Sequence, residues 1–216
     1  MMTGAGRFTG FGEGAVEFYD GLEVDNSKAY WTDQREIYEN DVKAPMQELL
    51  AALEPEFGPG KIFRPYRDVR FSNDKTPYKT HCGAIASGFY VQVGSDGLTV
   101  AGGYYRMASD QVTHFRAAVA DDRRGGDLEK RLAALVADGF TVAGEKLRTQ
   151  PRGYAADHPR IDLLRHKGIY GVRTWPPDDA LHGPGTLERV RSGWRALRPL
   201  VEWLDDHVGS SGQPRR

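Results

Sequence analysis

Gly94-Ser95-Asp96-Gly97 stands between two runs, residues 89–93 and 98–105, that are rich in aromatic and β-branched residues. This pattern has one local solution, a β-hairpin. Glycine and aspartate supply the turn conformations, and the flanks have the composition of paired strands. A hairpin in mid-chain restricts everything around it, because antiparallel strands need further strands beside them and helices on their faces. Residues 61–71 read as a further strand, since Pro65 and the alternation of Phe63, Val69 and Phe71 disfavour a helix. Residues 140–147 and 168–175 are expected strands as well.

Helices are expected before and after the hairpin. Residues 15–22 place Val16, Phe18 and Tyr19 on one face. After Asp25-Asn26-Ser27 a longer helix carries Trp31, Tyr38, Val42, Met46, Leu49 and Leu53, with Pro45 kinking or dividing it and Gly58-Pro59-Gly60 ending it. Ser109 is expected to cap a helix bearing Val112, Phe115 and Val119. The next helix carries Leu128, Leu132, Leu135 and Val136 and stops at Gly139. A short helix should open at Pro159. Residues 186–208 form a last amphipathic helix, with Leu187, Val190, Trp194, Leu197, Val201, Leu204 and Val208 in a stripe that either covers the sheet or forms a homodimer seam. Helices flanking hairpin-rich strands without βαβ alternation define an α+β class. The expectation is a single domain over residues 1–208, a mainly antiparallel sheet with the N-terminal and C-terminal helices packed on it, and a disordered tail at 209–216.

The 216 residues suffice to bury roughly 70% of the unfolded surface without metal or disulfide staples. The lone Cys82 excludes an internal disulfide and any cysteine-based zinc cluster, which fits a reducing, cytoplasmic setting. MMTGAGRFTGF lacks the apolar run of a secretory signal, and no segment approaches the ~20 apolar residues of a membrane span. A net charge of −1 gives no general attraction to nucleic acid or anionic lipid, so any basic function is local.

One segment is locally basic. RPYRDVRFSNDKTPYK, from Arg64 to Lys79, carries +3 against −4 for the rest of the chain. On an extended backbone Phe63, Arg67, Val69 and Phe71 share one face, expected to point at the core. Arg64, Tyr66, Asp68 and Arg70 share the other, with neighbours about 7 Å apart, close enough for several cations to meet one anion. Asp68 is placed to hold the guanidinium groups of Arg64 and Arg70. Arg67 falls on the core side, where Asp74 is its nearest partner. Ser72-Asn73-Asp74 is turn chemistry that swings Lys75, Tyr78 and Lys79 back towards the strand.

The spacing Arg64-x-x-Arg67-Asp68-x-Arg70-Phe71-x-x-Asp74-Lys75-x-x-Tyr78 resembles RxxRDxRFxxDKxxY, the motif of a family of uncharacterised bacterial and fungal proteins known as domain of unknown function 2461. FTGFGEGAVEFYDGLEVDNSKAYW resembles the family's opening, and PRGYAADHPRIDLLRHKG its second characteristic stretch. The resemblance covers nearly the whole chain. It implies that the cationic ladder matters and supplies no reaction.

That second stretch is also basic. Arg152 and Tyr154 lie in loop chemistry, and His158 precedes a proline that opens a helix. If this loop approaches the Arg64 strand, these three residues complete a pocket, with His158 as a general acid or base near pH 7. Metal ligation is not indicated: there is no HxH, HExxH or paired-cysteine pattern. Gly58-Pro59-Gly60-Lys61 lacks the spacing of a phosphate loop, residues 10–14 lack that of a dinucleotide fingerprint, and adjacent His81 and Cys82 point to opposite faces of a strand.

Three functions fit this residue pattern. The first is a pocket for a small phosphate- or carboxylate-bearing ligand, held by Arg64, Arg67, Arg70, Asp74, Lys75, Tyr78, Lys79, Arg152 and Tyr154, with Asp68 or His158 as proton handler if chemistry occurs. The second is a nucleic-acid surface on a basic, aromatic sheet face. The third is a salt-bridge network that fastens the fold. The sequence leaves any cofactor open, and either a monomer or a homodimer through the last helix fits it.

Overall fold

The computed structural model describes residues 7–70 and 74–212. The hairpin forms as β3 (Phe89–Gly94) and β4 (Gly97–Tyr104). With β1 (Lys61–Ile62), β2 (His81–Ala86), β5 (Thr141–Ala143) and β6 (Ile169–Trp175) it builds a six-stranded antiparallel sheet in the order β1-β2-β3-β4-β6-β5. Gly97 closes the turn at φ +91°, and a Cβ there would lie 2.4 Å from the Trp175 carbonyl oxygen. Both the conformation and the close approach therefore demand glycine. The fold class is α+β.

The helices are α1 (Gly14–Val24), α2 (Lys28–Asp33), α3 (Arg35–Ile37), α4 (Ala44–Phe57), α5 (Ser109–Ala120), α6 (Asp122–Ala137), α7 (Ile161–Leu164) and α8 (Gly185–His207). A six-residue π-helix, Tyr38–Lys43, runs from α3 into α4. It ends two residues before Pro45, which has no N–H to donate backwards, so the proline widens the turn ahead of it while the helical run continues unbroken from Arg35 to Phe57.

The chain divides into two compact units, one up to Val100 with Thr174–Ser192, the other Ala101–Arg173 with residues from Gly193 onwards. Their boundaries fall within β4, β6 and α8, where the sequence shows no linker. In the first unit, α1 packs on β3 and α4 on β1 and β2, around Phe18, Tyr19, Leu22, Met46, Leu49, Leu53 and Val91. In the second, α8 crosses β6 at Gly171, whose missing Cβ leaves room for Leu197. The stripe residues Val190, Trp194, Leu197, Val201, Leu204 and Val208 are buried within this one chain.

Several expectations need correction. The strand at 61–71 shrinks to two residues, because Pro65 and Pro77 both lack the N–H that a continuous ladder requires. What survives is a Tyr66–Tyr78 bridge with Arg67 N–H donating to Pro77 and Lys79 N–H to Pro65, each at 2.8 Å. Neither face of this arm is core: Phe63 and Tyr66 are exposed and Val69 is half-buried, while Phe71 lies outside the described residues. Ser109 is the first residue of α5 rather than its cap. The Gln111 side chain accepts the Ala108 N–H instead. Val136 faces solvent. The strand expected at 140–147 ends at Ala143, and the short helix opens at Ile161, two residues after Pro159. The expected tail is anchored as far as Gly212, since Asp110 accepts hydrogen bonds from Ser211 Oγ and Gly212 N–H, and Gln111 Nε2 donates to the Gly209 carbonyl.

One side chain ties the arm to the helices of the first unit. Asn26 Nδ2 donates to the Tyr78 carbonyl at 3.2 Å, and its Oδ1 accepts the Tyr78 N–H at 2.9 Å. Asn26 thus replaces a strand partner for a backbone that the prolines have left unpaired. Asn26→Ala strands both groups at a cost of about 1–3 kcal/mol, which should lower Tm by several degrees in a circular-dichroism melt. An unchanged Tm would mean that water serves Tyr78 equally well.

Candidate ligand groove

The short helices after Asn26 and the arm that begins at Lys61 face each other across a groove of about 830 Å³. Ser27 caps α2 by accepting the Tyr30 N–H at 3.1 Å, and the Tyr30 hydroxyl donates to the Phe18 carbonyl at 2.9 Å, which fixes α2 against α1. The π-turn then carries Tyr38 inwards and presents Glu39 and Lys43 to the groove. The lining from this wall is Lys28, Trp31, Thr32, Arg35, Tyr38, Glu39, Lys43 and Gln47, a stripe with steps of three and four residues. Residues 61–66 and Tyr78 form the opposite wall. Every lining residue belongs to the first unit.

The floor is aromatic. Trp31 and Tyr78 stack face to face, 4.4 Å apart and 2° from parallel, with Tyr38 4.8 Å from Trp31 and Tyr66 5.3 Å from Tyr78. The rim is cationic. Lys28, Arg35, Lys43, Lys61 and Arg64 meet one carboxylate, Glu39, which Lys43 already binds at 2.6 Å. Lys28, Arg35, Lys61 and Arg64 form no ion pair with any carboxylate among the described residues. Behind the arm, burial and the neighbouring Arg64 lower the pKa of Lys79, which lies 5.3 Å over the Phe63 ring.

The residues singled out by the sequence separate into three groups. Arg64 and Tyr78 line the groove. Arg67, Asp68, Arg70, Asp74 and Lys75 instead satisfy one another at the exposed end of the arm. Arg67 bonds Asp74 and Thr76, while Asp74 Oδ1 accepts the Thr76 N–H at 2.9 Å. Asp68 takes Arg70 in a fork, Nε to Oδ1 at 2.9 Å and Nη2 to Oδ2 at 2.6 Å. It forms no ion pair with Arg64, so it does not bridge the two arginines as expected. Lys75 Nζ donates to the Val69 carbonyl at 2.9 Å. Arg152, Tyr154 and His158 belong to the second unit. His158 Nδ1 accepts the Arg160 N–H at 3.0 Å, and its ring meets the Tyr154 edge. Arg160, almost fully buried, donates to the Val119 and Ala120 carbonyls and to Asp122, which fastens that loop. Cys82 is buried and its thiol is pushed up to about 12, which removes it as a nucleophile at neutral pH.

The model of the conserved hypothetical proteins DUF2461 matches residues 14–203. The chain belongs to this DUF2461 family. No curated protein and no solved structure matches it. The match spans both walls of the groove, so the walls of this DUF2461 member are family sequence rather than an appendage.

Lys28, Arg35, Lys43 and Lys61 escaped the sequence reading, as did the lining role of Trp31 and Tyr38. A signal existed: the polar residues at 28, 32, 35, 39, 43 and 47 run beside the apolar stripe that marks the core.

The arm's end has an acid limb. Hydrogen bonds from the Thr76 N–H and the Arg67 guanidinium hold the Asp74 carboxyl down to about 2. A depressed folded pKa contributes stability that is present above the unfolded value near 3.9 and is lost as pH falls towards 2. In melts from pH 5 to 2, Asp74→Asn should flatten that part of the Tm decline. Identical acid limbs in parent and variant would contradict the role given to Asp74.

Proposed function

We propose that this groove binds a small anionic ligand, phosphate- or carboxylate-bearing, on an aromatic floor. The carrying observation is the set of four cations, Lys28, Arg35, Lys61 and Arg64, that line one groove and form no ion pair among the described residues, Arg64 acting on Asp68 only from beyond ion-pair distance. Like charges held together raise the energy of the folded state, and an anion among them relieves that cost. The groove volume lies within the ~300–1,000 Å³ range of small-molecule pockets. Guanidinium groups suit the planar, bidentate geometry of phosphate and carboxylate oxygens.

The reading moves the site from the ladder to the groove. Arg64 and Tyr78 belong to it, whereas Arg67, Asp68, Arg70 and Asp74 hold the arm's end in shape. Asp68 is held at about 2 by Arg70, so it stays ionised and orients Arg70 instead of donating a proton. The single buried thiol fits a reducing, cytoplasmic setting.

Thermal shifts with pyrophosphate, inorganic phosphate and a tricarboxylate such as citrate test the proposal. A binder at a hundred times its Kd adds about 2.7 kcal/mol, a rise of several degrees for a chain of this size. Arg64→Glu should abolish the rise and Arg70→Ala should leave it intact. The reverse pattern would put the ligand at the arm's end, and no rise with any anion would refute binding altogether.

A further inference from the structure

The accessible aromatic surface of the groove narrows the class of anion. Trp31, Tyr38 and Tyr78 are 7%, 4% and 5% exposed, and Trp31 and Tyr78 occupy each other's faces. Tyr66 is 51% exposed and leans on the same stack at 5.3 Å from Tyr78 and 6.2 Å from Trp31. Phe63, the other exposed ring of the lining, is braced by Tyr90 at 6.3 Å but already carries Lys79 over its ring. One ring is therefore both open to the groove and braced from behind. A braced tyrosine loses little side-chain freedom when a ligand covers it, so stacking there is inexpensive.

Resting on the reading above, we infer that the groove takes a phosphorylated ligand bearing one flat heteroaromatic ring, the chemistry of a free mononucleotide. The ring stacks on Tyr66, and the phosphate sits among Lys28, Arg35 and Arg64. Charge favours phosphate over a monocarboxylate, since a phosphate monoester carries about −1.5 to −2 at pH 7 and so answers more of the groove's cations. The single open ring favours one base over a strand, because single-stranded nucleic acid is held on successive stacking platforms. Arginine at the rim adds a planar cation that can flank the base or take the phosphate in a fork.

Calorimetric titrations with AMP, ribose 5-phosphate, adenosine and an eight-residue oligothymidylate separate the components, using the parent chain, Tyr66→Ala and Tyr66→Phe. AMP should bind about tenfold or more tighter than ribose 5-phosphate, the increment that one base–aromatic stack supplies. Adenosine, which lacks the phosphate, should bind far more weakly than AMP. The AMP preference should vanish in Tyr66→Ala and persist in Tyr66→Phe, with ribose 5-phosphate affinity unchanged in both, which also reports that the variants fold. Equal affinity of AMP and ribose 5-phosphate in the parent would overturn the ring assignment and leave the anion groove standing. Failure of both to bind would remove the anion groove as well. Oligothymidylate binding tighter than AMP, with a salt slope of several phosphates, would replace the mononucleotide by a strand.

Discussion

Trp31 and Tyr78 lie 4.4 Å apart and within 2° of parallel, and through that contact the helices after Asn26 hold the arm that follows β1. The arm could not hold itself. Two prolines interrupt its ladder, most of its residues from Phe63 to Arg70 are exposed, and its ion pairs sit in solvent where such pairs are worth about 0–1 kcal/mol. A stacked aromatic pair contributes about 0.5–1.5 kcal/mol beyond the area it buries, and Asn26 adds two hydrogen bonds to the same residue. Position therefore comes from packing and from one asparagine, and charge is left over for other uses.

In this the groove differs from the arm's end and from the Arg160 and Arg165 sites. At the arm's end, Arg67 meets Asp74 and Thr76, Arg70 meets Asp68, and Lys75 meets the Val69 carbonyl. In the second unit, Arg160 is enclosed by carbonyls and Asp122, and Arg165 donates to the carbonyls of Leu147 and Arg148. Along the groove, Lys28, Arg35, Lys61 and Arg64 form no ion pair among the described residues, and Arg64 acts on Asp68 only from beyond ion-pair distance. The π-turn presents Lys43 and Glu39 to the same groove.

Much of the fold was legible because local chemistry and burial agreed. Gly94 to Gly97 between apolar runs gave the hairpin, and the stripe from Val190 to Val208 the covered face of α8. The site was half legible. Charge density pointed to residues 64–79, and Arg64 and Tyr78 lie on the groove. However, the alternation rule assumes that one strand face is core, and an arm outside the sheet has none. The Arg67–Asp74 pair was readable because turn chemistry brings them together. The opposite wall was not, because Lys28, Arg35 and Lys43 come from helices some thirty residues away, and it takes the Asn26–Tyr78, Trp31–Tyr78 and Trp31–Tyr66 contacts to bring that polar stripe to face the arm. Arg152, Tyr154 and His158 were singled out by composition alone; they lie in the second unit, where His158 accepts the Arg160 N–H and Arg160 donates to the Val119 carbonyl.

A two-dimensional ¹H–¹⁵N NMR titration with pyrophosphate tests the central claim most directly, since it locates an anion without presuming the rest of the ligand. Saturable shifts should concentrate in residues 28–43 and 61–66, with the Trp31 indole N–H among them and the amides of 74–76 and 152–160 unmoved. Shifts centred on 67–76, or weak non-saturable changes spread over every basic residue, would contradict the assignment of the groove.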